Sequence, residues 1–169
     1  MKFTVEKNNY FNRLKKEYLF YFLLLSTVVF YFHHNNPGRI DWPVIIGIML
    51  VLAFIFSLLA HKIAKTNFHE VELNEDHITL RGHEINKPIE IKLPIKNTDA
   101  QFKSIGQGRG KIEYFLRITN DTEVYDINKL LNWNYNSLIN LFNSIKDLKK
   151  EPKSIDDKLM IELIEKKVK

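Results

Sequence analysis

The sequence predicts an α+β membrane protein, with an N-terminal transmembrane helical hairpin, a small antiparallel β-barrel or sheet, and a C-terminal amphipathic helix closing it. Three observations lead there. Residues 18–38 and 42–61 hold no Asp, Glu, Lys or Arg, in a 169-residue chain that is 27% charged. From about Phe68 the apolar residues recur with period two, as in strands with one buried and one wet face. From Tyr135 they recur with the helical period.

The basic leader, residues 1–17, reads as a flank, with Lys2, Lys7, Arg13, Lys15 and Lys16. Residues 18–61 read as the hairpin. Its first apolar run is Tyr18 to Phe32 and its second is Trp42 to Ala60. At about 1.5 Å per residue the second spans roughly 28 Å, close to the ~30 Å hydrocarbon core of a bilayer. Tyr18, Tyr21, Tyr31 and Trp42 stand near the ends, where amphipathic rings favour the headgroup layer. The connector His33 to Asp41 contains Pro37-Gly38 and is short enough for a tight turn. No small-x-small cleavage pattern follows the first run, which argues for an anchor over a removed signal peptide. Basic residues flank the hairpin at Lys62 and Lys65 as well, and the connector holds only Arg39. The positive-inside rule then sets both termini in the cytoplasm of a multi-pass inner-membrane protein.

Residues 66–150 form the next expected unit. Val71 and Leu73, Ile78 and Leu80, then Ile89, Ile91, Leu93 and Ile95, and then Ile112, Tyr114, Leu116 and Ile118 each alternate with mostly polar neighbours. Turn residues separate them at Asn74-Glu75-Asp76, Arg81-Gly82, Asn97-Thr98-Asp99, Gly106 to Gly110 and Asn120-Asp121. Pro94 marks a strand end or a sheet edge. A last strand covers Val124 to Ile127, making six or seven in all. Leu138, Leu141, Phe142, Ile145 and Leu148 mark one face of a helix over 135–149, with Asn134 as its N-cap and Trp133 placed to staple onto Leu138. Residues 151–169 form a helical tail beginning at Ser154. Asp156 and Asp157 open it and Lys166 and Lys167 close it, as the helix dipole favours. Its Ile155, Leu159 and Leu163 form a stripe that packs on its own domain, on the bilayer, or on a partner or second copy.

The segments VELNEDHITLRG (71–82), KIEYFLRITNDTEVYDI (111–127) and NSLINLFNSIKDL (136–148) resemble the pleckstrin-homology (PH) superfold in their order of short strands and a closing helix. With the hairpin, the layout resembles bacterial two-helix membrane proteins that carry a cytoplasmic PH-like domain. The chain lacks the Trp-Asp-Ile type segment that many such proteins have in their middle strands. The resemblance implies a binding or scaffolding module and transfers no catalytic residue.

Candidate sites are few. Lys103-Ser104-Ile105-Gly106-Gln107-Gly108-Arg109-Gly110-Lys111 sets three alternate glycines beside basic side chains. The spacing is one residue short of a phosphate-binding Walker loop, and Ile112 replaces its Ser or Thr. Lys103, Arg109 and Lys111 are the ligand-binding candidates, because basic loops of PH-like proteins often hold phosphorylated headgroups. The competing reading is a hairpin loop with solvated charges. His61, His69, His77 and His83 lie close in sequence, and a His69–His77 pair on neighbouring strands is conceivable, yet no metal-ligand spacing supports a centre. The lack of cysteine excludes disulfides, thiolate metal sites and a Cys nucleophile.

These readings point to no cofactor and no catalysis. The net charge of +5 sits largely in the leader, while residues 61–169 carry 19 basic and 17 acidic side chains. Such a balance argues against nucleic acid as a partner and for an anionic membrane surface. Expected partners are membrane lipids and a protein, or a second copy met through the transmembrane helices or the tail helix. An immunity or defence protein acting against a membrane-associated toxin, or an accessory subunit of a larger membrane complex, are the alternative functions.

Overall fold

The computed structural model describes residues 1–35, 42–106, 112–128 and 132–168. The chain is α+β with two antiparallel sheets. It divides into two compact units: Met1–Asn8, Asn67–His83 and Lys87–Lys169 form one, and Asn9–Thr66 with Glu84–Asn86 form the other.

The second unit is built on helices α1 (Tyr10–Asn35) and α2 (Trp42–Ala64). They run antiparallel and touch at both ends. The Tyr10 hydroxyl lies 2.7 Å from His61 Nδ1, and the His33 ring lies 4.2 Å from the ring of Trp42. Leu25, Ile45, Ala60 and Ala64 are buried. Arg13 is buried too, and its Nε and Nη2 both donate to the carbonyl of Ala64, at 3.0 and 2.8 Å. A guanidinium there satisfies one of the carbonyls that a helix C-terminus leaves open. Trp42–Lys62 is long and apolar enough to cross a membrane, alone among the described helices. The tyrosines and histidines of α1 dilute its apolar character.

The first unit holds seven strands among the described residues. β1 (Lys2–Thr4), β2 (Thr66–Leu73), β3 (His77–Glu84) and β4 (Lys87–Pro94) lie in that order in one sheet. β5 (Thr98–Gly106), β6 (Ile112–Asn120) and β7 (Glu123–Asn128) form the other. A short 3-10 turn at Ile95–Asn97 leads from the first sheet to the second, and Pro94 ends edge strand β4, where its missing N–H costs no ladder bond. Among the described residues neither sheet closes on itself, so of the expected barrel or sheet the chain forms two open sheets.

The leader contains a strand. Lys2, Phe3 and Thr4 pair with Glu72, Val71 and Glu70, and the amides of Val5 and Leu73 donate to the carbonyls of His69 and Met1. What composition marks as a basic flank thus begins as a sheet edge, and residues 9–66 interrupt the strand unit between β1 and β2. Charge spacing carries no trace of a pairing that spans some seventy residues.

The two sheets and α3 (Tyr135–Lys149) enclose one core, which includes Val71, Leu73, Ile78, Leu80, Leu93, Leu116, Ile118, Ile127, Trp133, Leu138, Leu141, Phe142 and Ile145. The alternation read from the sequence places nearly all of these correctly. Asn134 caps α3 by accepting the Ser137 amide, and the helix ends at Lys150 with φ 54°, whose amide returns to the carbonyls of Lys146 and Asp147. Trp133 Nε1 donates to the Phe68 carbonyl at 2.8 Å. Two expected core positions differ: Ile112 and Leu148 are exposed. Ile112 is the first residue of β6, beyond the reach of the core, and Leu148 lies in the last turn of α3.

Gly82 sits where backbone meets backbone. A Cβ there would collide with the carbonyl oxygen of Asn67 on the neighbouring strand. Gly82→Ala is expected to destabilise the unit by at least the ~1–3 kcal/mol typical of forced overpacking, because the obstacle is main chain and cannot rotate away. A thermal melt of the variant checks this.

α4 (Ile155–Val168) packs against α3 and β5. Ser154 and Asp157 cap it reciprocally, each side chain accepting from the other's amide. It buries Ile164, with Met160 and Ile161 partly buried, and leaves Ile155, Leu159 and Leu163 exposed.

Candidate functional site

Of the three ligand candidates, Lys103 is described, and Arg109 and Lys111 lie outside the described residues. Lys103 is on β5, paired with Phe115 of β6, and its side chain is exposed. The strands enter and leave the intervening loop at Gly106 and Ile112, and Ile105 and Ile112 are exposed beside it. Lys167 of α4 reaches this end of the sheet, donating to the Ile112 carbonyl and lying over the rings of Tyr114 and Tyr135.

Lys103 also lines a shallow cleft of about 280 Å³ with Gln101, Phe102, Lys146, Ser154, Asp156, Asp157 and Met160. Its charges largely cancel. Lys146 faces Asp99 at 3.6 Å and Glu151 at 3.3 Å, and Asp157 is engaged in capping α4. The two aspartates at the helix start oppose an anion, so the cleft by itself is no phosphate cradle.

The densest charge cluster lies on the first sheet, and sequence reading did not single it out. Arg81 Nη1 donates to Glu70 and Glu72, both at 2.6 Å, and its Nε to Glu90 at 2.8 Å. Lys2 adds a bridge to Glu70 at 2.9 Å. The five residues come from four strands, Glu70 and Glu72 sharing β2, which is why no local spacing reveals the cluster. Hydrogen bonds from Arg81, then Lys2, hold the Glu70 carboxyl below its usual range, and Arg81 does the same to Glu90. Bonds from Lys149, then Lys146, lower Glu151. Arg81 is raised in turn.

Depressed folded-state carboxylates stabilise the fold above their unfolded value and lose that contribution as pH falls through the folded one. Melting temperature is therefore expected to hold down to about pH 4.5 and to fall below it, with Arg81→Gln flattening the dependence. Melts from about pH 6 to about pH 3 test this. An Arg81→Gln profile parallel to the parent's would remove the cluster from the explanation.

The histidines pair differently from the expectation. His69 stacks on His83 with ring centroids 5.1 Å apart, and burial lowers the pKa of His69. His77 instead contacts the Asn74 side chain at 3.0 Å. No group of three or more potential metal ligands converges among the described residues. Among the described residues the geometry offers a packed, salt-bridged scaffold, and the basic segment that joins β5 to β6 lies outside them. Comparison with protein-family models, with curated proteins and with solved structures gives no match.

Proposed function

We propose that this chain is a non-catalytic, membrane-anchored binding module, with a PH-like domain displayed at the inner face of a bacterial inner membrane. One observation carries the reading. Both helices of the antiparallel pair turn large apolar side chains outward. On α1 these include Phe22, Leu23, Leu24, Val28 and Phe30; on α2 they include Val44, Ile46, Leu50, Val51, Phe54 and Leu58. A contiguous apolar surface of that kind is costly in water and favourable in lipid.

The hairpin crosses twice in this reading, and the basic flanks hold both termini in the cytoplasm. Four strands, three strands and a closing helix support the PH-like interpretation, with β1 supplied from before the hairpin. The domain then binds an anionic or protein partner at the β5–β6 end, through Lys103, Arg109 and Lys111. The full chain is expected in the membrane fraction after alkaline carbonate washing, and reporters fused at residue 1 and at residue 169 should both be active on the cytoplasmic side. Release by carbonate, or an exported reporter at either end, would sink the anchoring.

A further inference from the structure

We infer that α4 pairs with α4 of a second copy of this chain, antiparallel and about a two-fold axis near the middle of the helix. The inference does not rest on the anchoring reading. Successive residues of a helix turn by about 100°. Ile155, Leu159 and Leu163 therefore form one stripe, with Lys158 and Glu162 along one flank, while Ile164, Met160 and Ile161 face the core. The stripe is open: Ile155 is 85% exposed, Leu159 53% and Leu163 39%. Asp156, Lys158, Glu162 and Lys166 are exposed as well, and none forms an ion pair with another described residue.

The order of these charges selects the occupant. The first turn is acidic, with Asp156 and Asp157, and the last is basic, with Lys166 and Lys167. Two copies laid antiparallel set Leu159 of each against Leu163 of the other. The same register sets Lys158 beside Glu162, and Asp156 beside Lys166, twice each by symmetry. Parallel pairing would oppose like charges at both ends. A bilayer would meet Asp156 and Glu162 along with the stripe, which an anionic surface disfavours. The stripe is only about 12 Å long, so the dimer is weak and depends on local concentration.

Because the chain has no cysteine, single cysteines report the pairing cleanly. The full chain carrying Leu159→Cys is oxidised in whichever cell fraction holds it. A disulfide-linked dimer is expected, several-fold above the yield of the exposed control Glu75→Cys. Ile155→Cys alone should give little dimer, whereas Ile155→Cys coexpressed with Lys166→Cys should give the mixed dimer. In the Leu159→Cys background, Lys158→Glu should lower the yield several-fold, and adding Glu162→Lys should restore it. All these positions are exposed, so the fold is not at stake. A Leu159→Cys yield no higher than the control overturns the inference. So does stronger crosslinking of Ile155→Cys with itself than with Lys166→Cys, or a charge swap that fails to restore the dimer, as a bilayer or unrelated protein on this face would give.

Discussion

A chain in which residues 9–66 are replaced by a short glycine–serine linker is expected to fold as the strand-and-helix unit and remain soluble, whereas residues 67–169 alone lose most of their stability. The difference is β1. Phe3 and Val5 pack against the core from the sheet edge, and the strand adds main-chain bonds at His69 and Leu73. At a net ~1 kcal/mol per hydrogen bond, plus the lost apolar burial, the deficit is about 3–5 kcal/mol. Small domains have only about 5–15 kcal/mol in total. The junction is favourable for excision, since the Asn67 side chain donates to the Asn8 carbonyl at 3.1 Å. A linker of about four residues, reaching roughly 13 Å, therefore closes the gap without strain. Urea unfolding of the two proteins, followed by circular dichroism, measures the effect. Equal midpoints would mean that β1 contributes nothing and that the domain begins at β2.

Leu116→Asp is expected to abolish the fold of the same unit. Leu116 is 0% exposed at the centre of β6, paired with Phe102 on one side and Ile127 on the other. It belongs to the buried apolar cluster formed with Ile118, Ile127, Leu138 and Phe142. An unpaired charge there costs more than a marginal domain can supply, unless it protonates, and the lost apolar contacts add about 2–5 kcal/mol. Ile112→Asp is the control on the same strand and the same alternation. Ile112 is 45% exposed, so its change should leave the melting temperature nearly where it was. Similar losses at the two positions would mean that the core extends to the first residue of β6.

Much of the fold was legible because its signals are local. The alternation at Ile78 and Leu80 or at Leu116 and Ile118, the Asn134 cap and the Pro94 strand end each depend on residues within a few positions of one another. The charge-free run of α2 is equally local, since length and composition alone decide whether a helix is apolar enough for a bilayer. The candidate site was legible only as a composition: Lys103, Arg109 and Lys111 around three glycines. Of these, Lys103 alone is described, and it borders a cleft whose lysine and aspartate charges offset one another.

By itself, then, the sequence determined the α+β class, the succession of short strands, the bounds of α3 and the apolar character of α2. Period, turn residues and caps set those features before any tertiary contact forms. Tertiary structure alone decided that Phe3 belongs beside Val71, that Arg81 gathers Glu70, Glu72 and Glu90, and that His69 meets His83 instead of His77. It also decided which apolar face of α4 is covered. Ile164, Met160 and Ile161 are no more apolar than Ile155, Leu159 and Leu163, and both sets fit a helical face. Only the position of α3 and β5 beside the helix selects between them, because burial is a property of the neighbours and not of the stripe.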